Sequence, residues 1–401
     1  MPELHELRIE RVAPGGDAVA RLDGRVVFVP RALPGERVLA RLAPGKERWS
    51  RAELVEVLEA SPERVAPPCA HAERCGNCAW MHWDLAAQRR AKRELLADQL
   101  RRIGRRDDWP SIGLVEGAGV GWRTRVEWLA GAWRSGAVLG YRAPRSHDLV
   151  EVEQCPILAP ALRELLEDLR GGARPIPRQA RSVQACVDDA GRASFSAQDA
   201  AGAPLDDRDA ARVVTRHVAG LDLEFPLLGF QQGNGDLLEA FVARAIDGLA
   251  AAARAEGGEV LDLYCGSGLF ALPLAAAGLR TLGVESDRAA VRAARSNAAR
   301  LGLEAARFEV ADVRAWLAQS ARIPSVVLVD PPRAGLGEGV VRELARLRPR
   351  VLRHVSCDAA TLARDAGVLV RAGWTCVRVD LVDMFPHTPH MEIVLDLELR
   401  R

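Results

Sequence analysis

A chain of 401 residues has room for about two or three domains, each with its own core, which excludes a peptide or a disulfide-stapled mini-scaffold. Hydrophobic residues at 48% and charged residues at 27% exclude a disordered chain, and no apolar run nears the ~20 residues of a membrane helix; with a charged Met1–Glu10, this points to a cytoplasmic protein without membrane contact. The 55 basic and 54 acidic residues leave a net charge of +1, which excludes a polycation and confines any nucleic-acid surface to a local patch.

Only Lys46 and Lys92 among the basic residues are lysines, so the arginine content reads as compositional bias and single arginines carry little weight. Residues 1–60 hold short apolar or β-branched runs at Arg25–Val29, Arg37–Leu42 and Ala52–Leu58, set apart by turn signals at Pro14-Gly15-Gly16, Pro34-Gly35 and Pro44-Gly45. This spacing predicts a small β-barrel, either an RNA-binding module or a plain structural domain. Pro62–Cys78 is a Pro- and Cys-rich connector holding Cys69, Cys75 and Cys78, a grouping that in a cytosolic chain points to metal or redox chemistry. A helix is predicted over about Asp84–Ile103. Eight basic residues against Glu94 and Asp98 make Gln88–Arg106 the most basic stretch, which fits either phosphate contact or a solvated face. The middle, about 110–220, mixes strand-like and helix-like segments around a Gly-, Pro- and Arg-rich loop near Gly171–Arg178. From about Leu237 onward, strand candidates at Val260–Tyr264, Arg280–Glu285, Arg307–Val310, Ser325–Asp330 and Val351–Ser356 alternate with amphipathic stretches. That alternation predicts a parallel sheet with helices on both faces. Trp374–Val382 and Met391–Leu397 follow without a helix between them, which suggests an antiparallel edge.

The first of these strands runs into Gly266-Ser267-Gly268 and the second ends in Glu285, whose carboxylate can accept hydrogen bonds from both hydroxyls of a ribose. The pattern fits a nucleoside cofactor. NAD competes, but Asp262, four residues ahead of the first glycine, and the short sheet favour S-adenosylmethionine. Asp330-Pro331-Pro332-Arg333 falls at the carboxyl end of the fourth strand, where open α/β sheets bind ligands, or else is a simple turn. Cys357 follows the fifth strand on the same edge; a polarisable thiolate there suits addition to an electron-poor ring carbon, although most cysteines merely fill cores. Glu392 opens an otherwise apolar strand, where burial raises a carboxylate's pKa and suits it to proton transfer. His387, His390 and Glu392 form a weaker alternative as metal ligands.

At these residues the chain resembles the RNA 5-methyluridine methyltransferase family, through Phe230-Gln231-Gln232-Gly233-Asn234, Asp262 to Gly268, Asp330 to Arg333, Ser356-Cys357-Asp358 and Asp383 to Glu392. The resemblance implies an OB-like TRAM barrel over 1–60, an α+β central domain over 61–225 with the cysteine cluster and basic helix, and a Rossmann-like class I methyltransferase domain over 226–401. It also implies that Cys357 attacks C6 of a uracil, C5 takes the methyl group of S-adenosylmethionine, and Glu392 removes the C5 proton. Gln232, Tyr264, Glu285, Asp312 and Asp330 map onto the family's cofactor contacts. Cys69, Cys75, Cys78 and Cys155 resemble the set that holds a [4Fe-4S] cluster in ribosomal-RNA members; on ligand chemistry alone zinc would serve equally. That set favours 23S ribosomal RNA over transfer RNA as substrate, with a non-catalytic RNA-binding protein as the reading of another class. The target base would be flipped out of its stack, and Trp122, Arg123 and Arg125 could hold its neighbours. A monomer is the simpler expectation. Two departures stand beside the nucleophile: Asp358 where the family often has Asn, and Ala359 where it often has Pro.

Overall fold

The structure, a computed structural model, describes residues 4–43, 48–131 and 137–399. The Pro44-Gly45 turn signal lies outside the described residues. Cα clustering divides the chain into two compact units built from non-contiguous segments. One comprises Met1–Leu95, Gly140–Pro156 and Phe385–His390, the other Leu96–Leu139, Ile157–Met384 and Met391–Arg401.

In the first unit, β1 (Leu4–Val12), β2 (Ala18–Leu22), β3 (Arg25–Val29), β4 (Arg37–Leu42) and β5 (Trp49–Glu59) close into a barrel of order β1-β2-β3-β5-β4. Alternation places Leu7, Ile9, Ala18, Ala20, Val27, Val29, Val38 and Ala40 inside, the period-2 pattern of strands with one wet face. The fully buried Glu36 fixes the barrel's exit: its carboxylate accepts from Leu33 N (2.8 Å), Ser61 N (3.2 Å) and Arg64 Nε (2.6 Å). Helix α1 (Leu85–Arg102) packs Ala87, Ala91 and Leu95 with Trp80, Trp83 and Leu33.

The second unit is centred on an eight-stranded sheet. Its strands are β6 (Ile112–Val115), β14 (Glu259–Leu263), β15 (Arg280–Glu285), β16 (Ala306–Val310), β17 (Val326–Val329), β18 (Val351–Ser356), β19 (Trp374–Val382) and β20 (Glu392–Leu399). The numbers between belong to β7 (Arg125–Gly131), β8 (Val138–Arg142), β9 (Leu149–Glu151), β10 (Ser182–Val187), β11 (Ala193–Gln198), β12 (Val213–Val218) and β13 (Leu221–Pro226). The order is β16-β15-β14-β17-β18-β20-β19-β6, parallel from β16 to β18. The antiparallel pair expected at the edge is interior instead, because β6, from well upstream, pairs in parallel with β19 and becomes the outer strand. Leu96 and Leu100 of α1 join the same core. The helices of this unit are α2 (Pro160–Gly171), α3 (Leu238–Ile246), α4 (Leu249–Ala255), α5 (Ala271–Ala276), α6 (Arg288–Arg300), α7 (Val313–Gln319), α8 (Gly337–Leu347) and α9 (Ala359–Arg371). Strands β7, β10 and β11 form an antiparallel sheet on which α2 lays Leu162, Leu165, Leu166 and Leu169. Among the described residues no helix is long and apolar enough to cross a membrane.

Candidate active site

The reactive residues sit one or two positions beyond the carboxyl ends of parallel strands, as the sheet's polarity dictates. Tyr264 follows β14, Asp312 follows β16, Asp330 follows β17 and Cys357 follows β18, while Glu285 is the last residue of β15. The antiparallel pairing of β18 with β20 ends at Ser356 opposite Ile393, so the next position of that register sets Cys357 against Glu392. Residues far apart in sequence thus reach one end of the sheet through strand register alone.

Their electrostatics agree with that placement. Burial pushes the Cys357 thiol up to about 11, reinforced by the Glu392 carboxylate and opposed by the Arg333 guanidinium. Burial likewise holds Glu392 well above the usual carboxylate range, with Asp330 raising it further and Arg333 pulling it down. Asp330 keeps some exposed surface, yet loss of water raises its carboxyl to about 7. A thiol, two carboxyl groups of raised proton affinity and one cation therefore lie within electrostatic reach of one another at this end of the sheet, where proton transfer is accessible. The sequence reading quoted Arg333 in its motif but gave it no role.

The glycine turn is built for a close ligand. Tyr264 takes a φ of +63°, Gly266 +53° and Gly268 +88°, conformations that favour glycine and are costly for tyrosine, a strain found mainly at functional turns. Space above Gly266 is open, with no heavy atom within 4 Å of an added Cβ. Glu285 braces this turn by accepting from Gly266 N (3.3 Å) and also accepts from Asp287 N (2.8 Å). Asp312 caps α7 by accepting from Ala315 N (2.8 Å). Asp330 N donates to Leu263 O (3.2 Å), which seats the Pro331–Pro332 turn beside Tyr264. Burial raises the Tyr264 phenol to about 12, with the carboxylates of Asp312, Asp365 and Glu285 adding to it. Gln232 is buried on a loop fixed by its neighbour Asn234, whose Nδ2 donates to Met384 O (3.1 Å) and whose Oδ1 accepts from Leu237 N (3.0 Å). The turn, the ribose-ready Glu285 and the acidic strand tips fit a nucleoside methyl donor.

Both departures beside Cys357 have a physical reading. Asp358 is the N-cap of α9 and accepts from Thr361 N (2.8 Å), a task Asp and Asn perform equally. Ala359 occupies the first helical position, where proline is favoured but not required.

In the other unit the cysteine connector is held by backbone and side-chain hydrogen bonds. Gly76 N donates to Arg142 O (3.0 Å), and a Cβ at Gly76 would approach that oxygen to 2.8 Å. Glu153 N donates to His71 Nε2 (3.3 Å), and Arg31 Nη2 donates to Ala72 O (3.1 Å). Segments bearing Cys69, Cys75 and Cys78 are thereby tied to the segment bearing Cys155; the first three are half-buried and the last buried. Among the described residues no three Cys, His, Asp or Glu side chains are grouped round a single metal position. His387 instead serves structure, its backbone N donating to Gln88 Oε1 (2.8 Å) and its Nδ1 lying 3.1 Å from Gln88 Nε2, while His390 meets Phe385 edge to face.

One expectation for RNA contact is corrected. Trp122 is buried, so its indole is not presented to a base, and Arg125 Nη2 donates to Gly229 O (3.2 Å). In the basic stretch Lys92 is fully buried, with Nζ donating to Phe385 O (2.9 Å). Arg90 pairs with Glu63, Arg101 and Arg102 with Asp98, and Arg106 with Asp108, while Arg93 and Arg105 are exposed. Phe230, quoted for its motif only, is 77% exposed beside Gln231 and Gln232.

A family model described as tRNA (uracil-5-)-methyltransferase matches residues 318–400, one described as a methyltransferase domain matches 260–354, and a TRAM domain model matches 4–55. The "23S rRNA (uracil(1939)-C(5))-methyltransferase RlmD" of Halomonas elongata is 37% identical over 98% of this chain and 89% of its own length. Its namesake from Shewanella halifaxensis is 32% identical over 98% of this chain and 95% of its own. Among solved structures, the Pyrococcus abyssi tRNA (uracil-54, C5)-methyltransferase in complex with S-adenosyl-L-homocysteine superposes with a TM-score of 0.76 at 24% identity, covering 98% of this chain and 100% of that one; the likeness is one of fold.

Proposed function

The chain belongs to the RNA uracil-C5 methyltransferase family, and from that premise we propose that it methylates C5 of a uridine in 23S ribosomal RNA with S-adenosylmethionine as donor. The single observation that carries the reading is the register that sets Cys357 against Glu392 at the ligand edge of the sheet. Uracil C5 is too weak a nucleophile to take a methyl group unaided. Cys357 gives up its proton and adds through Sγ to C6, which pushes electron density onto C5. S-adenosylmethionine supplies an electrophilic methyl group and leaves as S-adenosylhomocysteine. Glu392 then takes the C5 proton, the C5–C6 double bond re-forms, and the thiolate leaves. Arg333 favours the thiolate and the ionised Glu392, opposing the burial that raises the proton affinity of both.

Gln232, Tyr264, Glu285, Asp312 and Asp330 are the proposed cofactor residues, supported by the strained turn and the row of strand tips. Cys69, Cys75, Cys78 and Cys155 are the proposed ligands of a [4Fe-4S] cluster. A cubane takes each thiolate on a separate iron, so its cysteines need not converge on one point as zinc ligands do. Its service here is to cross-link the connector to the segment carrying Cys155. The substrate class supports a cytoplasmic setting.

The test is incubation with tritiated cofactor and either 23S ribosomal RNA or transfer RNA, each lacking the modification. Label is expected in the ribosomal RNA. Label confined to transfer RNA would contradict the substrate, and label in neither would contradict the activity.

A further inference from the structure

Between β17 and α8 the chain makes a seven-residue loop, Asp330 to Leu336, that carries both the carboxylate and the cation of the site. Its far half is gripped by one helix. Thr361 Oγ1 of α9 shares its proton between Arg333 O (3.3 Å) and Asp358 O (3.2 Å), Arg364 Nη2 donates to Ala334 O (2.9 Å), and Asp365 Oδ2 accepts from Leu336 N (2.7 Å). Arg364 Nε also donates to Asp365 Oδ1 (2.9 Å), locking the two side chains together. Positions 361, 364 and 365 share one face of a helix, so all three can reach the same backbone. Gly335, at the centre of the grip, has a φ of +76°, and a Cβ there would come within 2.5 Å of Asp365 Oδ2, 2.7 Å of Arg364 Nη2 and 2.9 Å of Thr361 Cβ. Asp365 is 2% exposed. A buried carboxylate is retained only where it is paired and hydrogen-bonded, and here its partners are the loop and Arg364.

The same helix begins two residues after the nucleophile. Asp358 caps it, and Cys357 is the link between β18 and that cap. Helix α9 is thus the common reference for the thiol and for the loop bearing Asp330 and Arg333. We infer that Asp365, supported by Arg364 and Thr361, is a positioning residue that holds the Asp330–Arg333 loop in register with Cys357 and so governs the rate of addition to uracil rather than the binding of the RNA. The inference rests on the proposed function.

The experiment measures covalent trapping on a 23S ribosomal RNA transcript containing 5-fluorouridine, in single turnover at saturating RNA and S-adenosylmethionine. Misplacing a reacting group by about 1 Å costs on the order of 100-fold, and that slowing is expected for Asp365→Ala, with RNA affinity changed less than about threefold. Asp365→Asn keeps an oxygen for Leu336 N and is expected to restore about tenfold of the loss, whereas loss of a generic buried charge would give no such rescue. Arg364→Met, at an exposed position, is expected to slow trapping by about three- to tenfold. If Asp365→Ala does not fold, Arg364→Met and Thr361→Val decide. Wild-type trapping rates in the folded variants would overturn the clamp alone. A wild-type protein that forms no adduct would overturn the functional reading and the clamp together.

Discussion

In the sheet-centred unit the reactive side chains stand just past the ends of strands, whereas in the barrel unit the four cysteines stand on loops tied by a few backbone and side-chain hydrogen bonds. The first arrangement is rigid because a continuous core lies behind it: Leu261, Leu263, Val327, Val329, Leu352, Ile393 and Leu395 are all fully buried beneath the site. Strand ends then supply position at no further cost, and the polar residues are free to set pKa values. The second has no ladder beneath it, so the connector relies on Gly76, His71 and Arg31, and a cluster would add the missing rigidity. The lesson is that damage to one unit removes chemistry without unfolding, while damage to the other loosens structure without removing a reacting group.

The widest separation is expected from Cys357→Ala. Methyl transfer should fall by at least about 10⁴-fold while filter binding retains the RNA; substantial turnover would break the contrast. Next comes Glu392→Gln, where adduct forms but its release slows by about 10²–10⁴-fold, so denaturing gels should show covalent RNA accumulating on ordinary uridine. Cys78→Ser tests the other side. Iron content should drop and the barrel unit should become sensitive to protease, yet turnover per folded molecule should fall less than about tenfold, because no reacting atom is lost. A loss as deep as that of Cys357→Ala would erase the distinction.

A pH profile sharpens the sheet unit further. Cys357 and Glu392 both act deprotonated, and burial raises both. At low pH each holds its proton, so single-turnover methylation should rise as pH increases through neutrality toward the thiol's raised value. Arg333→Met removes the cation that lowers both groups and should move that rise to higher pH, by under about one unit because the guanidinium is exposed. The smallest effect belongs to Asp358→Asn, which keeps the cap and should change stability by less than about 0.5 kcal/mol in thermal melts.

Legibility in the sequence follows the same divide. Strand and helix periodicity marked β15, β18 and β19 to the residue, and the motifs at their tips placed Tyr264, Glu285, Asp330 and Cys357 on one edge. Local pattern could not reveal β6, four residues recruited by the sheet from far upstream, nor the burial of Trp122 and Lys92, which depends on tertiary partners. The grip of Thr361, Arg364 and Asp365 was invisible for the same reason: on a helix face they read as ordinary polar positions until the loop they hold is in place. Arg364 in particular is lost among so many arginines.

The most direct measurement is mass spectrometry of the complex trapped on 5-fluorouridine RNA, digested with protease and nuclease. Fluorine cannot leave as a proton does, so the adduct persists. The account predicts one methylated fluorouridine joined to the peptide containing Cys357. A nucleotide carried by another cysteine, such as Cys265 or Cys376, or protein that never becomes covalently bound, would contradict it.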